Sequence, residues 1–415
     1  MSTPQVYIPK EHVQEIYSKH KNSQDEVFQG VAFSSDNGDV FHVYTNLPEH
    51  PVGYPCLVSF HFLPVIPVEA ELQLLVDKVK SGIDSSSLHA LINHILVIFF
   101  CINGDAINHW AYIFDRDLNT IQGELKFIPE KSELYSRSNG ILETSVLEKS
   151  KVGIVGLGSG GSAIAVELAK AGVGKFVLID FDRLELSNIA RHASGIEDLG
   201  RYKTKAVKDL IRSKNPYTEV QTDEFDINED VERAEDLLKD CNLIIAATDN
   251  NRSRYNINDI SLNHGIVSLF PRALTRAVGG DILKVRPKLG PCLSCFLPKT
   301  SEEEVSSFGQ ARRQNPAYVA DDDVKSFIQV GLSSDILPIT NMTVKLALVE
   351  LSRGTPSGIS SLEDDLIADY YIWANRRDNK FADWPKMEYG AKSLSILRWY
   401  GARLSRKDNC VSCSM

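Results

Sequence analysis

Apolar and polar positions change their rhythm along this chain. In residues 1–134 the segments "VFQGVAFSS", "VFHVYTNLP" and "CLVSFHFLPVIPV" alternate or cluster apolar residues as strands do. The segment "VEAELQLLVDKVKSG" carries apolar residues at helical spacing and ends in Gly82, which predicts a helix. The apolar run "ILVIFFCI" (Ile95 to Ile102) is too short to span a bilayer and predicts a buried strand or helix end. A hairpin is expected in "HWAYIFDRDLNTIQGELKFIP", turning at "RDLN". Together these elements predict a small α+β accessory domain over residues 1–134. A polar stretch, "EKSELYSRSNG", then suits a linker.

From residue 150 to about 290 strand and helix patterns alternate: "KVGIVG", "SAIAVELAKAG", "KFVLID", "KTKAVKDLIRSKN", "EVQTDEFD", "VERAEDLLKDC" and "NLIIAAT". Repeated βα order predicts a mostly parallel, Rossmann-like α/β sheet in a second domain, residues 135–415. Its last region carries one long helix, "ILPITNMTVKLALVELSRG".

Composition narrows the classes without choosing one. The 415 residues are 43% hydrophobic and 24% charged, as in ordinary globular proteins, and carry a formal net charge of -10. That balance speaks against nucleic acid or an anionic membrane as the main partner. No apolar run near the start marks a secretory signal, so a cytoplasmic setting is expected.

Chemistry concentrates behind the first strand of the second domain. Gly156, Gly158 and Gly161 form Gly-x-Gly-x-x-Gly between a strand and a helix, a turn that lets phosphate approach backbone N–H groups at a helix N-terminus. Asp180 closes the next strand, 24 residues after Gly156, where a carboxylate can accept from ribose hydroxyls. To this point NAD and ATP are served equally. Asn188 and Arg191 in "ELSNIARH", Lys203 in "GRYKTKAV" and Asp249 in "IIAATDNNRSR" separate them. Cations beside a phosphate site stabilise charge developing on phosphorus, and a carboxylate can hold Mg²⁺. Hydride transfer needs none of these, and no nicotinamide pocket or proton donor is evident.

The ordered set "VGLGSGGSAIAVELAKAGVGKFVLIDFDRLELSNIARH…LGRYKTKAV…ATDNNRSR" closely resembles the ThiF/MoeB superfamily of ubiquitin-activating-enzyme-like adenylyltransferases, over residues 135 to 415. The resemblance implies ATP on the glycine loop, with Asp180, Asp182, Asn188 and Asn250 among the nucleotide-binding residues. It implies Arg191 and Lys203 on the phosphates, Asp249 on magnesium, and Arg137 in "LYSRSNG" reaching the ATP of a neighbouring subunit in a homodimer. The family usually has Arg-Gln there, where this chain has Arg-Ser. The substrate implied is the C-terminal carboxylate of a ubiquitin-like protein, a sulfur carrier or a peptide, activated as an acyl-adenylate with release of pyrophosphate. A catalytically dead partner subunit would be expected to lose Arg191, Lys203 or Asp249, and all three are present.

Of seven cysteines, four form two Cys-x-x-Cys pairs, Cys292/Cys295 and Cys410/Cys413, a complete thiolate set for a structural Zn²⁺ that would clasp the C-terminus to mid-chain. Cys56, Cys101 and Cys241 are expected to be core residues rather than nucleophiles, with Cys56, at the start of an apparent strand, the most exposed-looking of the three. Ubiquitin-type activating enzymes often pass the acyl group to a cysteine between the first pair and the following helix, and on to a conjugating protein. That segment holds no cysteine here, so the chain as given is expected to stop at the adenylate; Ala311, Ala317 and Ala320 are where a replaced cysteine would fit. The first domain faintly resembles a JAB-type metallopeptidase, but His61 lacks its His-x-His partner and neither His42 nor His50 restores the spacing, which leaves a scaffold role for substrate or dimer contacts.

Overall fold

A computed structural model of the chain describes residues 3–23, 27–35, 38–44, 53–83, 93–104, 106–128, 134–138, 140–297, 331–377, 381–384 and 394–413. His50, Ala311, Ala317 and Ala320 lie outside them. The chain divides into two compact units, Met1–Leu134 and Tyr135–Met415.

The first unit is a closed barrel. Its elements are β1 (Gln5–Pro9), α1 (Lys10–Ser23), β2 (Val27–Ser34), β3 (Val40–Tyr44), β4 (Tyr54–Phe62), α2 (Glu69–Ser81), β5 (Ile95–Asn103), β6 (Ala106–Phe114) and β7 (Thr120–Ile128). The strand order is β1-β3-β2-β4-β5-β6-β7, and parallel pairing of β1 with β7 closes it. The run Ile95 to Ile102 is continuous because β5 is buried on both faces. Leu96, Ile98 and Phe100 join Val6, Val58 and Phe60 in one cluster, while Val97 and Phe99 meet Leu72 and Val76 of α2 in another. The "RDLN" turn does join β6 to β7 in an antiparallel hairpin. Cys56 is a core residue, which corrects only its exposed look in the sequence: it is 2% exposed, because it shares the inward face of β4 with Val58 and Phe60, and burial pushes its thiol pKa up. It is no exposed nucleophile.

The second unit opens with a short helix, α3 (Thr144–Leu147), and alternates thereafter. In order come β8 (Lys151–Val155), α4 (Ser159–Ala171), β9 (Lys175–Ile179), α5 (Leu186–Ile189), α6 (Lys203–Lys214), β10 (Glu219–Asp223), α7 (Val231–Leu238), β11 (Leu243–Ala246), α8 (Asn251–His264) and β12 (Val267–Ala273). Then follow β13 (Gly279–Val285), α9 (Leu293–Phe296), α10 (Ser333–Leu351), β14 (Tyr370–Ala374) and β15 (Arg398–Ala402). The eight strands lie in the order β10-β9-β8-β11-β12-β13-β14-β15. Pairing is parallel from β10 to β12 and antiparallel from β12 to β15. Successive side chains go to opposite faces. Ile154 and Ile245 pack with α4, α6 and α10 on one side, and Val155 and Ile244 with α7 and α8 on the other. The sheet is therefore covered on both faces, the Rossmann-like arrangement that brings ligands to the carboxyl ends of the strands.

Candidate functional site

Register places the site. Val155 pairs with Ile179 on one side and Ala246 on the other, so β8, β9 and β11 end level. Gly156, Asp180 and Ala247 therefore emerge side by side at one edge, and Gly156 N–H still donates to the Ile179 carbonyl at 2.9 Å. Gly156 has φ +88°, and a Cβ there would stand 2.7 Å from the Ala247 carbonyl oxygen, so only glycine fits this turn. Gly161 packs the start of α4 onto the turn: a Cβ would meet the Gly156 carbonyl oxygen at 2.0 Å. A Cβ at Gly158 would meet nothing within 4 Å, and this residue opens onto a cleft of about 490 Å³.

The cleft gathers most of the residues singled out from the sequence. Gly156, Gly158, Asp180, Asp182, Asn188, Arg191, Lys203, Asp249 and Asn250 all line it. Asp180 is 9% exposed and accepts from the backbone N–H of Leu157 at 2.6 Å and of Asp182 at 2.8 Å. Burial pushes its carboxyl above the ordinary range, against the pull of the Lys203 ammonium and those two N–H groups. Lys203 begins α6 and bonds the Asp182 carboxylate at 2.7 Å. Asn188 accepts from Glu185 N–H at 3.1 Å and so closes the first turn of α5, which aims Arg191. Asn250 is the N-cap of α8, accepting from Ser253 N–H at 2.8 Å, a position that fixes the neighbouring Asp249. Arg137 is exposed in a short turn, Ser136–Ser138, and is not part of this cleft wall.

A second cluster lies elsewhere in the same unit. The sulfurs of Cys292, Cys295, Cys410 and Cys413 all lie within 4.8 Å of one another. Separations of 3.9 Å (Cys292–Cys295), 3.5 Å (Cys292–Cys410) and 3.5 Å (Cys295–Cys413) are far too long for disulfides. They match a tetrahedron of thiolates on a metal, whose edges are about 3.8 Å for metal–sulfur bonds of about 2.3 Å. The backbone N–H of Lys407 donates to Cys295 Sγ at 3.4 Å. Among the described residues this is the one group of three or more His, Cys, Asp or Glu side chains within metal-ligand reach.

The model of the ThiF family matches residues 133–348. The chain belongs to the ThiF family. An adenylyltransferase and sulfurtransferase, UBA4 of Debaryomyces hansenii, is 27% identical over 285 residues, covering 63% of this chain and 61% of that protein. The adenylyltransferase and sulfurtransferase MOCS3 of Culex quinquefasciatus is 30% identical over 178 residues, 41% of this chain and 39% of that one. The chain thus spans about three fifths or less of the length of the curated relatives it matches. Among solved structures, E. coli MccB with AMPCPP and selenomethionine MccA aligns with a TM-score of 0.50 at 16% identity, over 68% of this chain and 75% of that one, a likeness of fold.

The ThiF-family cleft also holds residues that the sequence did not single out. His192 donates from Nε2 to the Leu157 carbonyl at 2.8 Å, and accepts at Nδ1 from Ser194 N–H at 3.0 Å. Arg254, 4% exposed, bonds the Thr248 carbonyl, and Ser253 Oγ bonds Thr248 Oγ1 at 2.7 Å, so the first turn of α8 holds the residue that precedes Asp249. Arg272 makes a two-pronged contact with Asp281 at 2.6 and 2.8 Å, and Arg276 adopts φ +57°. Adjacency was the available signal: His192 follows Arg191, and Arg254 stands five residues after Asp249.

Proposed function

We propose that the chain is an ATP-dependent adenylyltransferase. It activates the C-terminal carboxylate of a ubiquitin-like protein, a sulfur carrier or a peptide as an acyl-adenylate. The observation that carries the reading is the convergence of Arg191, Lys203 and Asp249 with the glycine loop on one cleft. In the reaction a carboxylate oxygen bonds to the α-phosphorus, the bond from that phosphorus to the β-phosphate bridge breaks, and pyrophosphate leaves with the electron pair. Backbone N–H groups at the start of α4 receive phosphate oxygens. Arg191 and Lys203 stabilise the negative charge that grows on the α-phosphate as the carboxylate attacks. Asp180 orders the loop and faces the ribose. Asp249 is the residue that would hold Mg²⁺, which supplies neutralisation of phosphate charge.

The four cysteine sulfurs suit Zn²⁺ with no open position, hence a structural site. A homodimer in which Arg137 contributes to the partner's cleft belongs to the same reading. Calorimetry with MgATP and with NAD tests the nucleotide, and exchange of labelled pyrophosphate into ATP, dependent on a carboxyl-terminal substrate, tests the chemistry. MgATP heat without NAD heat is expected. Tight NAD binding with none for ATP overturns the reading.

A further inference from the structure

Leu157 is the residue between the first two glycines of the loop, and both of its backbone polar groups are held by side chains. Its N–H goes to Asp180 Oδ2 at 2.6 Å, and its carbonyl accepts from His192 Nε2 at 2.8 Å. The Ser194 N–H, 3.0 Å from His192 Nδ1, leaves that nitrogen bare and so fixes the proton on Nε2. The next residue adds a second stitch: Ala193 N–H donates to Ser162 Oγ, in the first turn of α4, at 3.3 Å. Arg191 N–H and His192 N–H both return to the Asn188 carbonyl, at 3.0 and 2.9 Å, so the turn carrying the arginine and the turn carrying the histidine are one.

We propose that His192 is a positioning residue that locks the Leu157–Gly158 peptide of the glycine loop and ties that loop to the segment bearing Arg191. A peptide unit is planar, so fixing the Leu157 carbonyl also fixes the Gly158 N–H, which points the opposite way. An unlocked peptide beside two glycines can flip, which exchanges the places of a donor and a carbonyl, and a carbonyl repels phosphate. The lock needs a neutral imidazole, since an added proton on Nδ1 would confront the Ser194 N–H. Burial, with the Lys203 ammonium, lowers the ring's pKa from 6.5, against the opposing pull of the bond to the Leu157 carbonyl and of the Asp198 carboxylate. Asp180 holds the N–H of the preceding Gly156–Leu157 peptide, so the peptides on both sides of the Leu157 Cα are each tied by a side chain. The consequence for nucleotide rests on the adenylation reading, while the lock itself does not.

Two variants separate the roles. His192→Gln retains a donor and an acceptor in one side chain; His192→Phe keeps the bulk of the ring and loses both bonds. In the nucleotide-free full chain, amide hydrogen exchange across residues 156–162 should accelerate roughly tenfold in His192→Phe and stay near the parent's rate in His192→Gln. MgATP affinity should fall roughly tenfold in the first and less than threefold in the second. Parent-like exchange and binding in His192→Phe, or equal defects in both variants, overturn the proposal. If the parent binds no MgATP, the adenylation reading falls, and the exchange comparison still decides whether His192 locks the loop.

Discussion

Lys203 and Asp182 are joined twice, by an ion pair of 2.7 Å between their side chains and by a 3.0 Å bond from the lysine N–H to the aspartate carbonyl. The lysine side chain is 10% exposed and the aspartate 49%, so the ammonium is held at the wall of the cleft by a carboxylate that water can reach. On the proposed adenylation, Asp182 is the aiming partner and Lys203 the working charge. Lys203→Met should lower the rate of pyrophosphate exchange by about 100-fold or more, the scale of removing a donor aimed at developing charge. Asp182→Asn, which keeps the backbone bond, should cost about tenfold or less. Steady-state exchange rates on the two variants check the order, and an Asp182→Asn defect as deep as that of Lys203→Met would reverse the assignment.

Asp249 and Asn250 are neighbours with different tasks. Asp249→Ala should abolish exchange and leave the melting temperature near the parent's. Asn250→Ala removes the cap of α8 and should cost about 1 kcal/mol of stability. Thermal melts beside exchange assays distinguish the two, and a strongly destabilised Asp249→Ala protein would assign that carboxylate to the scaffold.

One zinc per chain is expected in freshly purified protein, measured by elemental analysis. Cys410→Ser with Cys413→Ser should release it and lower the melting temperature, because binding free energy at such sites, on the order of 10 kcal/mol, is folding free energy. Zinc absent from the parent, or retained by the double variant, contradicts the assignment.

Acid should weaken the barrel. His12, His42, His61, His94 and His109 all have pKa values lowered from 6.5 by burial. Each ring packs against an aromatic ring: Phe60, Tyr7, Phe99, Phe41 and Phe127 in turn. A base with a lowered folded value takes up its proton more readily in the unfolded chain. Its folded state is therefore unpenalised above about 6.5 and loses stability as pH falls below that value. Neighbouring Glu15 and Asp115 soften the effect at His12 and His94, and Lys19 and Arg116 sharpen it. Hydrogen exchange of barrel peptides at pH 7 and pH 5 should show the barrel opening faster at the lower pH. Equal protection at both would remove the histidines from its stability.

What the sequence disclosed was local, and what it concealed was long-range. The βα alternation, the glycine loop and the two cysteine pairs each sit within a few residues and carry their own periodicity or spacing. Strands β13 to β15 do not: Gly279 pairs with Ala374 and Tyr370 with Ala402, across intervals in which no period links the partners. Closure of the barrel rests likewise on β1 meeting β7, the first strand of the unit and its last. Cys56 was legible as a core residue, since Cys56, Val58 and Phe60 alternate with Leu57 and Ser59, although it also looked the most exposed of the three cysteines outside the two pairs. His192 was beyond reach for another reason. Its partner is a backbone carbonyl 35 residues away, and a carbonyl leaves no trace in the residue names.

The meeting of Cys292 with Cys410 joins positions 118 apart, so everything between them is a chain loop with a common base. That loop contains α10, whose Ile339 and Thr340 wall the cleft. A drawstring of this kind makes length cheap. Doubling a flexible loop adds only about 0.6 kcal/mol to the cost of closing it. On the proposed adenylation, the clasp at Cys292 and Cys410 anchors at one point the stretch of chain that carries a wall of the nucleotide cleft.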